Sequence, residues 1–148
     1  MLLILHAALT WALLGLILTI QLVHYPLFSQ VSEATWPAYE REHQTRITVL
    51  VGPLMLAELL SAVWLLLRPP PAVPVWSLWL GLALLAVIWV STGLVQSPLH
   101  GRLSRAFDAH LHARLLYSNW LRTLCWAFRV GLCVWWLWLW LGLGLGTG

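Results

Sequence analysis

Apolar residues occupy four long runs along the chain, and short polar segments separate the runs. The runs cover residues 2–23, 47–67, 75–95 and 121–141. A helix needs about 20 predominantly apolar residues to cross a bilayer, and its backbone groups must bond internally because the hydrocarbon holds no water. The pattern therefore predicts an all-α protein, an antiparallel bundle of four transmembrane helices forming a single domain over residues 1–148.

Proline positions predict where the helices begin and end. The proline-rich segment 68–74 predicts a tight hairpin between the second and third runs. Pro26 is expected to end the first helix, and Trp36-Pro37 to begin a second helix that runs unbroken into its span. Ser97-Pro98 is expected to begin an amphipathic helix through Leu111, with a break near residues 117–119. Helices 2 and 4 should therefore extend beyond the hydrocarbon on the side opposite the hairpin. The glycine-rich segment after residue 141 is expected to fray.

Composition and charge agree with a membrane protein and predict its orientation. Hydrophobic residues make up 61% of the chain and charged residues 9%, against about 25% charged residues in soluble domains. The expected partner is a lipid bilayer, and no nucleic acid is expected despite the net charge of +3. The positive-inside rule places the two long connections in the cytoplasm and both termini in the periplasm, for a multi-pass protein of a bacterial inner membrane. Those connections hold Arg41, Arg46, Arg102, Arg105, Arg114 and Arg122, against Arg68 in the hairpin.

Two charged residues inside the apolar runs indicate a candidate buried ion pair. Placing a charge at the centre of a transmembrane helix costs about 2.5–3.5 kcal/mol on insertion scales. Glu58 and Arg129 lie at depths of about 17 Å and about 12 Å from the same side of the membrane, a difference that a long arginine side chain can cover. We therefore expect a buried Glu58–Arg129 pair. Pro53 precedes Glu58 and is expected to kink the helix, which could open a polar cavity.

Three histidines on three helices form a second candidate site at the cytoplasmic end. Neutral imidazoles from His24, His43 and His112 could bind copper, iron or zinc, and two of them could ligate a haem. Glu40 shares a helical face with His43, and Asp108 could orient the ring of His112 through one ring nitrogen.

Other polar residues near that end are expected to support the site or to be exposed. Gln21, Arg46 and Asn119 are expected to line it, whereas His100 is expected to be solvated near a helix start. Cys125 and Cys133 lie about 12 Å apart on one helix and cannot form a disulfide with each other.

Several polar motifs resemble those of a known group of proteins. They are residues 24–28, 39–43 and 52–58 in the first half, and 107–108, 112–114 and 119–123 in the second. Together they resemble small bacterial four-helix integral membrane proteins of unassigned function, over most of the chain. The four-helix plan and the early His-x-Pro are also loosely similar to the anthrone-oxygenase-like membrane proteins. That resemblance implies oxidation of a hydrophobic aromatic substrate and assigns no catalytic residue.

Two hypotheses for the function follow, and the sequence does not decide whether the protein is an enzyme. In the first, the cytoplasmic end holds a metal or haem, and the protein is an oxidoreductase for a lipid-soluble substrate. In the second, the protein is a non-catalytic accessory or structural subunit of a larger membrane complex, and its buried polar groups fix the helix register. A small transporter that uses Glu58 to couple protons is a third reading, ranked last because the sequence shows no inverted repeat.

Overall fold

The computed structural model describes residues 1–144, and the side chains of residues 1–142. Its four helices are long and apolar enough to cross a membrane: α1 (Leu2–Gln30), α2 (Trp36–Leu67), α3 (Val75–Leu103) and α4 (Ala109–Gly144). No strand occurs among the described residues. The predicted all-α bundle of four helices is therefore confirmed.

The helices pack in a ring that follows the chain order. α1 lies against α2 and α4, and α3 lies against the same two helices. At one end, which we call the hairpin end, Leu3, Leu65 and Val73 pack together beside the connection 68–74. We call the opposite end the loop end; it holds the connections 31–35 and 104–108. Large apolar side chains such as Val49 and Leu94 face outwards, as suits a bundle surrounded by lipid.

Two of the helices contain a π-helical turn shortly before a proline. Ile20–His24 precedes Pro26 in α1, and Thr92–Gln96 precedes Pro98 in α3. A proline lacks an N–H and its ring clashes with the carbonyl four residues earlier, and a wider π turn relieves that crowding. Both helices therefore continue past their prolines. The expectations that Pro26 ends the first helix and that Ser97-Pro98 begins a new one were wrong.

The last connection differs from the prediction as well. α3 ends at Leu103, residues 104–108 are not helical, and α4 then runs without a break from Ala109. Asp108 Oδ1 caps α4 because it accepts hydrogen bonds from the backbone N–H groups of His110 and Leu111 at 2.8 and 2.9 Å. The predicted helix through Leu111 and the predicted break at 117–119 were therefore wrong.

The predicted helix extensions at the loop end are present. α2 begins at Trp36, with Pro37 in its first turn, and the Trp36 indole N–H donates to the Leu103 carbonyl at 2.6 Å. α4 begins well before its apolar run. α1 and α3 extend past their runs too, because of their π turns, so all four helices lengthen towards the loop end. The segment expected to fray remains helical to Gly144, and its remainder lies outside the described residues.

A close approach between α3 and α4 at the hairpin end depends on a glycine. A Cβ added to Gly81 would lie 2.8 Å from the indole of Trp136. That indole cannot easily move aside, because it is buried and its N–H donates to the Ser77 hydroxyl at 2.9 Å. The close approach of α3 to the Trp136 indole of α4 therefore requires glycine at position 81.

We expect Gly81→Ala to destabilise the bundle by about 1–3 kcal/mol, the usual cost of an added methyl in a packed interior. The free energy of unfolding in detergent micelles measures this change. Gly15→Ala is the matched control, because nothing lies within 4 Å of a Cβ added there. That control should be neutral or slightly stabilising, since alanine is the better helix former by about 1 kcal/mol. Equal stability of the two variants would contradict the packing argument.

Candidate functional site

The Glu58 side chain of α2 is completely buried in the middle of the bundle. Its Oε1 atom accepts from the Thr10 hydroxyl of α1 at 2.9 Å and lies 3.1 Å from Arg129 Nη2 of α4. Its Oε2 atom accepts from the Trp126 indole N–H at 3.1 Å. Arg129 also donates to the backbone carbonyl of Gly81 in α3. The pair expected from sequence therefore joins all four helices.

His6 completes this group of buried polar residues. Its ring nitrogens lie 2.7 Å from the Ser61 hydroxyl and 3.3 Å from Arg129 Nη2. We call His6, Thr10, Glu58, Ser61 and Arg129 the central network. Both carboxylate oxygens of Glu58 and both ring nitrogens of His6 have partners within the protein. Because its strongest polar groups are satisfied in this way, the central network is suited to fixing the helix register.

A hydrogen-bonded chain of three buried side chains from three helices lies towards the loop end. Glu40 Oε1 of α2 lies 2.5 Å from His100 Nδ1 of α3. His100 Nε2 lies 2.9 Å from the Tyr25 hydroxyl of α1. The carboxylate on Nδ1 favours the tautomer with a proton there, so that Nε2 accepts from the Tyr25 O–H. We call Tyr25, His100 and Glu40 the relay, because the order acid, imidazole, hydroxyl is one that moves protons in enzymes.

Further polar groups surround the relay. The Gln44 amide donates to Glu40 Oε1 at 3.2 Å and to the His100 carbonyl at 3.1 Å. His24 Nε2 and His43 Nδ1 lie 2.9 Å apart, and the His43 ring centroid is 5.5 Å from that of His100. Among the described residues, Glu40 Oε2 and His43 Nε2 are buried without a hydrogen-bond partner. The loop end is therefore less fully satisfied than the central network.

A cavity of about 280 Å³ lies between the four helices beside the relay. Most of its wall is apolar, with Leu13, Met55 and Trp89 among its residues. Both π turns contribute to the wall, through Ile20 in α1 and Thr92 in α3. The polar side chains of the wall are those of Tyr25, Gln44, Thr48, Thr92, Gln96, Ser97, His100 and Arg122.

Arg122 of α4 lines this cavity although it is only 7% exposed. Its guanidinium carbon lies 5.4 Å from the ring centroid of Trp126, and its Nη1 donates to the Asn119 amide oxygen at 3.2 Å. The Asn119 amide in turn donates to Gln21 of α1 at 2.8 Å. Within the described part of the chain, Arg122 Nε has no partner. A buried cation therefore lies in the wall of a largely apolar cavity.

The three histidines expected to bind a metal are not brought together. His24 and His43 use facing ring nitrogens on each other, and His112 Nε2 lies 2.8 Å from the Tyr25 carbonyl. The Phe28 ring lies between His43 and His112, 5.1 and 6.1 Å from their centroids. Among the described residues, no group of three or more His, Cys, Asp or Glu side chains could hold a metal ion. In this arrangement His24, His43 and His112 therefore do not form a three-ligand metal centre.

The residues expected to support that site have other partners. Glu40 bonds to His100, and Asp108 is exposed and caps α4 instead of orienting His112. Arg46 is exposed as well, and its Nε lies 2.6 Å from Glu42 one turn earlier in α2. Gln21 and Asn119, by contrast, are buried and bond to each other next to Arg122.

Sequence reasoning missed the relay histidine, because His100 was expected to be solvated. Pro98 was interpreted as a helix start, which placed His100 in a first exposed turn. In the structure the π turn carries α3 through Pro98, and Gln96 and His100, four residues apart, are both buried. A glutamine inside an apolar run followed four residues later by a histidine was the available signal.

Comparisons of the chain with protein-family models, with curated proteins and with solved structures found no match.

We expect Glu58→Gln to destabilise the protein strongly, because it removes the charge that balances buried Arg129. Breaking a buried ion pair by removing one partner costs about 3–5 kcal/mol. Glu42→Gln is the matched control, since it removes the same charge from the same helix at an exposed pair, where the cost is about 0–1 kcal/mol. Denaturant unfolding in micelles measures both. Similar small losses in the two variants would contradict the structural role of Glu58.

Proposed function

We propose that the protein binds a lipid-soluble small molecule in the cavity and transfers a proton at the polar end of that molecule through the relay. One observation carries the proposal: a mostly apolar cavity of about 280 Å³ between membrane-spanning helices has Tyr25 and His100 in its wall. A pocket built only for packing has no need of a hydrogen-bonded acid, imidazole and phenol.

The size and the position of the cavity limit what it can take. Ligand pockets commonly measure about 300–1,000 Å³, and an apolar cavity of about 150 Å³ is known to hold benzene. The volume of about 280 Å³ therefore suits a molecule the size of two fused rings. Because all four lining helices are apolar enough to span a bilayer, a ligand dissolved in the lipid fits better than one dissolved in water.

The relay suits removal of a proton from a ligand hydroxyl. Tyr25 donates its O–H to His100, so the Tyr25 oxygen keeps a free lone pair that a ligand O–H can use. When the ligand gives its proton to Tyr25 and Tyr25 passes its own to His100, the positive charge forms beside Glu40, 2.5 Å away. That carboxylate stabilises the imidazolium, as in other acid–imidazole–hydroxyl chains.

Oxidation of the ligand is a further step that needs an electron acceptor. Deprotonation of a phenol or quinol precedes or accompanies its oxidation, so the relay is compatible with the oxidoreductase hypothesis and with the resemblance to anthrone-oxygenase-like proteins. A metal or haem as the acceptor stays a prediction. An absorption spectrum and elemental analysis of the purified protein distinguish haem, copper and iron from none of these. The inner membrane and the periplasmic termini likewise stay predictions from the arginine distribution.

The alternative, an accessory subunit of a larger complex, accounts for only part of the molecule. The central network alone suits such a role, because it fixes the helix register. The loop end does not, because an unpartnered buried polar atom costs about 1–3 kcal/mol and two lie beside the relay, Glu40 Oε2 and His43 Nε2. Co-purification of a stoichiometric partner in mild detergent would favour the alternative.

We expect 2-naphthol, two fused rings with one hydroxyl, to bind the protein at one site. Gly52→Leu should abolish that binding, because Gly52 lines the cavity and nothing lies within 4 Å of a Cβ added there. Gly15→Leu is the matched control, an equal change at an exposed position of α1. Calorimetry in nanodiscs, with protein-free nanodiscs as the blank, measures the affinity. Undiminished binding to Gly52→Leu would place the ligand elsewhere.

We expect Tyr25→Phe to weaken 2-naphthol binding about tenfold, the loss of one hydrogen bond of about 1–1.5 kcal/mol. Naphthalene, which has the same rings and no hydroxyl, should bind equally well to wild type and variant. Tyr117→Phe removes a hydroxyl that is 78% exposed and should change neither affinity. If both ligands lose affinity equally in Tyr25→Phe, the variant has altered the cavity, and the polar contact is not supported.

A further inference from the structure

Among the described residues, the Arg122 guanidinium is a buried charge without a counter-ion. It lines the cavity, it is 7% exposed, and it contacts one amide oxygen and the face of Trp126. Arg129, on the same helix, is also buried but has a counter-ion, since it lies between Glu58, His6 and the Gly81 carbonyl. A charge that is removed from water is costly unless an opposite charge pairs with it.

None of the acidic residues supplies the missing charge. Of the two that are buried, Glu58 bonds to Arg129, Thr10 and Trp126. Glu40 has one oxygen on His100 and Gln44, and its other oxygen has no partner in the described part of the chain. The others are exposed and lie outside the cavity wall; they are Glu33, Glu42 and Asp108. The chain has five acidic residues in all, so its own side chains leave Arg122 unpaired.

We infer that the ligand of the cavity is a weak acid that binds as a monoanion, with its acidic oxygen group held by Arg122. The inference rests on the proposed function and adds the chemical class of the ligand: an apolar body with one acidic O–H, such as a phenol, an enol or a carboxylic acid. Arg122 and Tyr25 both line the cavity, so one polar end of a ligand can face both.

The proton balance of this arrangement is complete within the site. The ligand O–H bond breaks, its electron pair stays on the ligand oxygen, and the proton passes through Tyr25 to His100 Nε2. The imidazolium then pairs with Glu40, and the ligand oxyanion pairs with Arg122. A fixed cation at the position where negative charge develops stabilises that charge, and more strongly in a largely apolar wall than in water. Arg122 is held for this role by the Trp126 ring, whose N–H is fixed by Glu58.

The test compares 2-naphthoate with 2-naphthamide, which share the same rings and nearly the same shape but differ in charge. Wild-type protein in nanodiscs should bind the carboxylate about tenfold or more tightly than the amide, as expected for a charge-assisted hydrogen bond. Arg122→Gln should abolish that preference, whereas Arg122→Lys should retain part of it. Arg114→Gln is the matched control, because it removes an exposed positive charge from the same helix, and it should keep the full preference.

The outcomes separate the inference from the proposed function. If wild-type protein binds both probes with equal affinity, or if Arg122→Gln keeps the preference, the inference is wrong and the cavity remains a binding site. If wild-type protein binds neither probe and also fails to bind 2-naphthol, the proposed function is wrong and the inference falls with it. The wild-type comparison needs no variant, so the inference can be tested even if Arg122→Gln does not fold.

Discussion

A carboxylate in the middle of a bilayer has to find its partners inside the protein, and the position of Glu58 imposes that condition on the whole bundle. Its oxygens bond to α1 and α4, and through Arg129 the same group reaches α3. A shift of any helix by one residue would leave a buried charge or a buried donor unpaired. The register of the four helices is therefore coupled through the partners of one side chain.

The register set at Glu58 determines what lies towards the loop end. Trp126 bonds to Glu58 and forms part of the cavity wall, and Arg122, one turn earlier in α4, lies over its ring. On α2, Glu40 lies five turns of about 3.6 residues before Glu58, so it lies on the same buried face. The residues of the candidate site thus lie on the same helix faces as the central network. The helix register that the central network fixes therefore also positions Arg122 and Glu40.

The two π turns provide the rest of the site. A π turn contains more residues than an α turn, so it rotates every later side chain about the helix axis relative to an unbroken α-helix. In α1 this rotation comes before Tyr25, and in α3 it comes before His100. Both turns line the cavity, and both lie next to a proline. In these two helices a π turn precedes the proline, and a polar side chain directed inwards follows the turn, whereas α2 continues as an α-helix through Pro53.

The π turns in α1 and α3 explain which features of the structure could be predicted from the sequence and which could not. Three features could be predicted: the membrane spans, the start of α2 at Trp36, and the contact between Glu58 and Arg129. Each depends on local composition or on depth in the membrane, and both can be read from the order of apolar and polar segments. The burial of His100 did not follow from depth and composition, because the π turn before Pro98 continues a helix that the proline was expected to interrupt. The partner of His112 could not be found from composition either, because its ring bonds to the backbone carbonyl of Tyr25, 87 residues away.

Unpartnered atoms distinguish the two groups of buried polar residues. Over the residues whose side chains are described, the buried side-chain atoms without partners are Glu40 Oε2, His43 Nε2 and Arg122 Nε, and none belongs to the central network. A protein that needed polar groups only for register would gain by satisfying all of them, as the central network nearly does. Of these three atoms, Arg122 Nε belongs to a residue of the cavity wall, and the other two belong to residues that surround the relay. The incomplete bonding at the loop end is therefore the structural feature that favours a ligand site there over a role in packing alone.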